Sequence, residues 1–364
     1  MKQTMLLKLA PSPEQQNALL EVMHAFNDAC NMIAQVAYDE QLANKFKLQK
    51  LVYATVRKDF KLSSQLAIRA ISKTVESYKH DKSIKVSFRR EGAITYDERV
   101  MSFKGLNEVS LLTLQGRVLV PFRIGGYQES RLDQIKGQAD LLLKGNTFYL
   151  AVTLDVPTPE PYQPSETLGV DLGIINLATA SDGETFSGQA IEHTRIRMLS
   201  LRTRLQKVGT KSAKRHLKKL SGHEKRFHRN TNHVISKHLV HKAKVNGQEL
   251  AIEDLRHIRK NATVRKSQRN RHASWSFWQL RFFLSYKAAL AGVPLHVVDP
   301  RNTSRTCHVC GHCEKANRKS QALFLCKQCG MSMNADINAA INISRAEVMQ
   351  PMASGRAQVQ AVGF

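Results

Sequence analysis

Apolar residues recur along this chain with two periods, and the change from one to the other divides it into stretches. Residues 2–9 alternate loosely, as a strand does. Leu19, Met23, Phe26, Cys30 and Ile33 then follow at steps of four, three, four and three, which is one face of a helix. Its start is written in Ser12, Pro13 and Gln15: an N-cap, a proline at the first helical position and the closing member of a capping box. Cys30 lies on the apolar face and is expected to be a buried structural thiol. Helical patterns continue through residues 48–80. From residue 83 the stretches IKVSF, VMSF, VSLLTL, GRVLVPF and DLLLKGNTFYLAVTLDV read as short strands, with Lys144, Gly145 and Asn146 as a hairpin turn inside the last. A proline-rich linker over 157–164 ends this part. The layout predicts a small β-barrel carrying an inserted helical segment.

Beyond the linker, TLGVDLGIINLATASDG predicts two strands, and QELAIEDL and PLHVVDP one each. Residues 275–290 form a strongly apolar helix stopped by Gly292, and NADINAAINISRAEV a last helix. Trp275, Phe277 and Trp278 have helical spacing in that apolar stretch, so they are expected in the core rather than stacked on bases. Residues 349–364 have no period and are expected to be a disordered tail.

Charge changes this picture most. The chain has 364 residues, 55 Lys or Arg against 30 Asp or Glu, and a formal net charge of +25. Such an excess repels itself, and a polyanion relieves the repulsion; nucleic acid is the commonest one. No run of about 18 apolar residues is present to span a bilayer. The opening MKQTMLLKLAPSPEQQ has too short an apolar run for a signal peptide, so no membrane partner is expected and the place of action is expected to be cytoplasmic. The cations are concentrated. Residues 195–229 hold thirteen Lys or Arg and one acid, Glu224, with Met198, Leu201 and Leu205 as an apolar stripe. A phosphate-contacting helix is expected there, with Lys211, Lys214, Arg215, Lys218, Lys219, Lys225 and Arg226 as contacts. Residues 256–271 carry seven Lys or Arg and no acid, which adds Arg265, Lys266 and Arg269. The histidines scattered through this region show no ligand spacing.

Five of the six cysteines crowd together near the C-terminal end. Cys307 and Cys310 form one C-x-x-C pair, and Cys326 and Cys329, fifteen residues on, a second. This is the spacing of a four-thiolate structural zinc ribbon. Cys313, His308 and His312 are alternative ligands that break the symmetry of the pairs. Lys315, Arg318, Lys319 and Lys327 would make such a ribbon attractive to phosphate.

Three acids stand at the edges of apolar elements. Asp171 ends the strand Leu168-Gly169-Val170, Glu253 ends Leu250-Ala251-Ile252, and Asp336 opens the last helix. A carboxylate is costly in such places and a cation offsets the cost. Carboxylates at strand ends and a helix N-terminus can converge on the C-terminal rim of a sheet and hold two Mg²⁺ ions, the arrangement used for phosphoryl displacement. Taken singly, Asp336 reads slightly better as an N-cap, and Asp254 is a rival to Glu253.

The motifs themselves carry a resemblance. VDLGIINLAT resembles the first RuvC motif of the TnpB (OrfB) proteins and of the small type V CRISPR effectors, LAIEDL the second and ADINAAINI the third. SWSFWQLRFFLSYKAALAG followed by VDPRNTSRTCHVCG is similar to the run joining the second motif to the zinc module in that family. Asn334 stands where related sequences often carry an acid. The resemblance implies a multi-domain α+β protein: a wedge-like β-barrel over 1–10 and 83–160, a helical recognition segment over 11–82, and an RNase H-like (RuvC) core over 165–302 and 334–348 with a zinc ribbon inserted at 303–333. It further implies that Asp171, Glu253 and Asp336 are the catalytic acids and that the activity is RNA-guided cutting of double-stranded DNA beside a short flanking motif. The guide RNA would come from the transposon end. A nuclease-inactive guided repressor and a strand-transferring transposase are the rival readings.

Overall fold

The computed structural model describes residues 1–255, 277–320 and 322–349. The runner of cations at Arg265, Lys266 and Arg269, Trp275 and the expected tail beyond Met349 lie outside the described residues. The chain divides into two compact units, Met1–Pro157 and Thr158–Phe364.

The first unit joins three helices to an antiparallel sheet. Helix α1 (Pro13–Asp39) begins with the expected capping box: the Gln15 amide N–H donates to Ser12 Oγ at 3.3 Å and the Ser12 N–H to Gln15 Oε1 at 2.9 Å. Its face of Leu19, Met23, Phe26, Cys30 and Ile33 is wholly buried. Burial pushes the Cys30 thiol up to about 11, as suits an inert structural cysteine. Helices α2 (Lys45–Asp59) and α3 (Ser64–His80) complete the layer.

The strands are β1 (Lys2–Leu9), β2 (Ile94–Tyr96), β3 (Met101–Lys104), β4 (Glu108–Thr113), β5 (Gly116–Arg123), β6 (Ile135–Lys144) and β7 (Thr147–Asp155), with one helical turn, α4 (Gly126–Glu129), after β5. Their order is β2-β6-β7-β1-β5-β4-β3. The two edge strands are consecutive in the chain, and the gap between them is bridged. The Tyr96 hydroxyl donates to the Leu112 carbonyl at 2.9 Å and the Leu112 N–H to the Val100 carbonyl at 3.0 Å. The sheet is therefore barrel-like and nearly closed, which leaves little exposed edge. One expected strand is absent. IKVSF, residues 84–88, pairs with no strand among the described residues, because the Asn31 side chain of α1 takes both polar backbone groups of Phe88, at 2.7 and 2.9 Å. The short β2, which alternation did not mark, forms instead.

The second unit contains a five-stranded sheet of β8 (Glu166–Asp171), β9 (Asn176–Ala180), β10 (Thr185–Ser187), β11 (Gln248–Glu253) and β12 (Leu295–Val298), in the order β10-β9-β8-β11-β12. β8, β11 and β12 run parallel, and β9 and β10 antiparallel to their neighbours. Between β10 and β11 come α5 (Gln189–Val208), α6 (Lys211–Leu220) and α7 (His223–Val245); α8 (Phe277–Ala291) precedes β12, and α9 (Ala335–Met349) is last.

Alternation along the strands assigns their two faces. Leu168, Val170, Leu250 and Ile252 share a core with Ile235, Leu239 and Ala243 of α7 and Leu280, Leu284 and Ala288 of α8. Ala251 and Val298 pack instead with Ile343 of α9. Gly169 makes that second contact possible, since a Cβ there would lie 2.1 Å from the Ala340 carbonyl oxygen. Trp278 departs from expectation. It is 59% exposed and stacks on Phe282 with ring centroids 5.3 Å apart, because the buried side of α8 is the Leu280–Leu284–Ala288 stripe.

Candidate nuclease centre and cysteine cluster

The register of the parallel strands sets the acids side by side. Ile252 pairs with Val170, so Glu253 and Asp171 end neighbouring strands at the same level. By alternation both fall on the face of Gly169 and Ala251, the face covered by α9, and the first turn of that helix carries Asp336. Glu253 and Asp336 are buried and Asp171 partly so. Asp336 is not the helix cap. That task falls to Asn334, whose Oδ1 accepts from the N–H groups of Asp336 at 2.9 Å and Ile337 at 3.2 Å. Asp254, the rival of Glu253, pairs with Arg281 at 2.6 Å.

Asp171 feels the other two acids. Burial, then the charges of Glu253 and Asp336, push the Asp171 carboxyl up to about 8, against a pull from Arg318. Burial raises Glu253 too, while a hydrogen bond from the Thr303 hydroxyl and the Arg318 charge oppose it. Arg318 reaches Asp336 Oδ1 at 3.0 Å and the Asn176 amide donates to Oδ2 at 3.0 Å. Among the described residues, three carboxylates gather around the Arg318 guanidinium in a poorly solvated place, where an ionised carboxylate is costly. Such a gathering of oxygen ligands suits a divalent cation.

The sign of the Asp171 shift has a measurable consequence. Its folded value lies above the ordinary 3.8, so between pH 4 and 8 the folded chain holds a proton that the unfolded chain lacks. The stability contribution is therefore intact below about pH 4 and is lost as pH rises through about 8. Asp171→Asn removes this penalty. In chelator, its melting temperature is expected to exceed that of the parent by about 5 °C at pH 8.5 and by little at pH 4.5. A pH-independent difference in a circular dichroism melt would show that Asp171 is not held neutral.

The cysteines are built as a pseudo-symmetric pair of knuckles. The Gly311 N–H donates to the Cys307 carbonyl at 2.9 Å and the Gly330 N–H to the Cys326 carbonyl at 3.1 Å. Both glycines sit at left-handed φ, 74° and 73°, where a Cβ is unfavourable. The hairpin of β13 (Leu323–Leu325) and β14 (Ser332–Asn334) carries the second knuckle. Cys307 and Cys329 sulfurs stand 3.7 Å apart, those of Cys310 and Cys326 3.5 Å, and all four lie within 4.8 Å of one another. Tetrahedral Zn–S bonds of about 2.3 Å imply sulfurs about 3.8 Å apart, so the set fits a metal such as zinc. The N–H of Cys329, then that of Gln328, hold the Cys326 thiol down to about 6, towards the thiolate a metal requires. Cys313 is outside the cluster, His308 faces Asn338 and His312 faces Glu314. Metal analysis is expected to find one zinc per chain. Cys307→Ser or Cys326→Ser should lower that content and open the region after residue 303 to protease, because binding energy at such a site is folding energy. A zinc-free protein with an unchanged melting curve would count against the ribbon.

The basic stretch runs over three helices. Gly209, at φ 65°, ends α5, and Thr210 Oγ1 accepts from the Ala213 N–H at 3.2 Å to start α6. Ala213 alone of the α6 residues is buried. Lys211, Lys214, Arg215, Lys218, Lys219, and Lys225 and Arg226 of α7, are all exposed. The one acid of the stretch, Glu224, is paired with Arg202 at 3.0 Å. Lys315, Lys319 and Lys327 are likewise exposed, whereas Arg318 turns inward to Asp336. Sequence reasoning missed Arg318, Thr303 and Asn176 at the acids, since nothing in their spacing marks them. Asn338, Asn342 and Arg345 were missed as well, although their spacing at i, i+4 and i+7 on one helix is a signal that could have found them.

Residues 149–264 match the family model OrfB_IS605, described as "Probable transposase", and residues 277–343 match the Cas12f1-like TNB domain. The CRISPR-associated endodeoxyribonuclease Cas12f1 of Sulfoacidibacillus thermotolerans is 29% identical over 217 residues, 55% of this chain and 50% of that protein. The TnpB-like protein MJ0751 of Methanocaldococcus jannaschii is 35% identical over 128 residues, 35% of this chain and 45% of that protein. The "Putative RNA-guided DNA endonuclease InsQ" of Escherichia coli (strain K12) is 29% identical over 216 residues, 54% and 53% of the two. The matches thus span about half the length of these relatives. In fold, the chain is similar to the Cas12f1 solved in complex with sgRNA and target DNA, with a TM-score of 0.61 at 14% identity, over 94% of this chain and 98% of that one.

Proposed function

We propose that this chain, which carries OrfB_IS605 and Cas12f1-like TNB domains and is a relative of TnpB-like proteins, is an RNA-guided DNA endonuclease of RuvC type encoded by a transposable element. The observation that carries this reading is the meeting of Asp171, Glu253 and Asp336 at one rim of a partly parallel sheet, where burial and the two neighbouring acids push the Asp171 carboxyl up.

Asp171, Glu253 and Asp336 would hold Mg²⁺, and such ions supply an activated water and stabilise the leaving 3′ oxygen in phosphodiester hydrolysis. The chain's own groups prepare the place. Thr303 orients Glu253 through its hydroxyl, and Asn176 and Arg318 hold the two oxygens of Asp336. Arg318 also brings to the acids a guanidinium, a group whose planar donors match phosphate oxygens. Cys307, Cys310, Cys326 and Cys329 would hold a structural zinc, closed to substrate. The exposed cations of α6 and α7 suit a guide RNA and a double-stranded target. No helix among the described residues is long and apolar enough to cross a membrane.

The test is cleavage of a duplex by protein made with the transposon-end RNA, compared with RNase-treated, RNA-free protein. The RNA-loaded protein is expected to cut a matched duplex with Mg²⁺ and to follow a changed guide to a new sequence. Efficient sequence-specific cutting by RNA-free protein would overturn guidance. Guided binding without cutting would favour a repressor, and joined DNA products a transposase.

A further inference from the structure

The nuclease centre and the first cysteine knuckle are tied together by one face of α9. Asn338, wholly buried, donates from Nδ2 to the Thr306 carbonyl at 2.8 Å. Its Oδ1 accepts from the His308 N–H at 3.2 Å and lies 3.0 Å from His308 Nδ1. One turn on, Asn342 Nδ2 donates to the carbonyls of Thr303 at 2.8 Å and Thr306 at 2.7 Å. A further turn on, Arg345 donates to the His308 carbonyl. The segment so gripped has two functional ends. At one end the Thr303 hydroxyl donates to Glu253; at the other, Cys307 enters the metal cluster with its N–H given to the His312 carbonyl at 2.9 Å. The helix that supplies the grip also supplies Asp336.

We propose that Asn338 and Asn342 are positioning residues that latch the cysteine knuckle to the carboxylates, so that the filled ribbon sets the affinity of Asp171, Glu253 and Asp336 for a divalent ion. The inference rests on reading those three acids as a cation site. The physical reason is accounting of backbone groups. Residues 303–308 form no strand or helix, and the carbonyls of Thr303, Thr306 and His308 accept from these side chains instead. Without the asparagine amides, the part-buried carbonyls of Thr303 and Thr306 lose these donors and Thr303 loses the anchor that aims its hydroxyl. Groups that orient ligands from behind change metal affinity by about 10- to 100-fold when removed.

The experiment uses the full chain with its zinc bound and takes Mn²⁺ as the probe, followed by electron paramagnetic resonance at pH 8. Zinc release to a chromophoric chelator is measured in parallel. Asn338→Ala and Asn342→Ala are expected to release zinc faster and to bind Mn²⁺ about 10- to 100-fold more weakly. Thr303→Val, which deletes one hydroxyl at constant shape and tests the link even where an asparagine variant fails to fold, should weaken Mn²⁺ binding by a similar factor and leave zinc release unchanged. Mn²⁺ binding equal to the parent in these variants, with or without faster zinc release, would overturn the latch. Asp336→Ala is the control for the cation site. Mn²⁺ binding equal in that variant and the parent would overturn the cation-site reading and the latch with it, whereas its loss there beside undiminished binding in the asparagine variants would overturn the latch alone.

Discussion

Alanine at Asp171, Glu253 or Asp336 is expected to reduce guided DNA cleavage by at least about a thousandfold, the consequence of losing several kcal/mol of charge stabilisation at a metal-assisted phosphoryl displacement. The three losses should be similar in size, since each acid faces the same rim and Asp171 feels both of the others. Nucleic-acid affinity should change by no more than about twofold, because the exposed cations lie on other elements. Burst and steady-state cleavage of a labelled duplex, beside a filter-binding titration, separates the two effects. Full cleavage by any one variant removes that residue from the site. A common loss of affinity would mean that the acids support folding rather than chemistry.

Reversing the charge of Lys214, Arg215, Lys218 and Lys219 on α6 is expected to weaken RNA binding by about a thousandfold at 0.1 M salt. Each phosphate neutralised contributes a slope of about −0.7 in log affinity against log salt on single strands and about −0.9 on duplex, so four contacts account for roughly 3. The slope should fall by that amount together with the affinity. Helix α6 buries only Ala213, so the substitutions should leave the fold intact. A variant with weaker binding but an unchanged salt slope would show that these side chains do not meet phosphate, and that the helix is a solvated face.

How much was visible beforehand differs between elements. The capping box of α1, its buried stripe and the hairpin turn at Gly145 follow from local rules, because each depends on residues within a few positions of one another. The strand expected at residues 84–88 fails for the opposite reason. A strand needs a partner, and Asn31, more than fifty residues away in sequence, takes the polar groups that a neighbour would have used. Trp278 fails similarly: helical spacing shows that a side chain is on a face, not which face meets the sheet.

The chemistry on offer is written in the linear order of residues: two C-x-x-C pairs, acids at the ends of apolar strands, a basic stretch with one acid, and motifs resembling those of TnpB proteins. These are legible because ligand spacing and apolar runs are properties of a linear string. Folding in three dimensions is what sets Glu253 rather than Asp254 towards Asp171, makes Asn334 the cap and leaves Asp336 to the rim, and turns Arg318 from the ribbon into the acids. Each of those outcomes depends on strand register, on the close approach that Gly169 allows to α9, and on hydrogen bonds between residues far apart in the chain. A one-residue change of register would send the opposite side chains to the rim, and no local pattern in the string specifies that register without the partner strand.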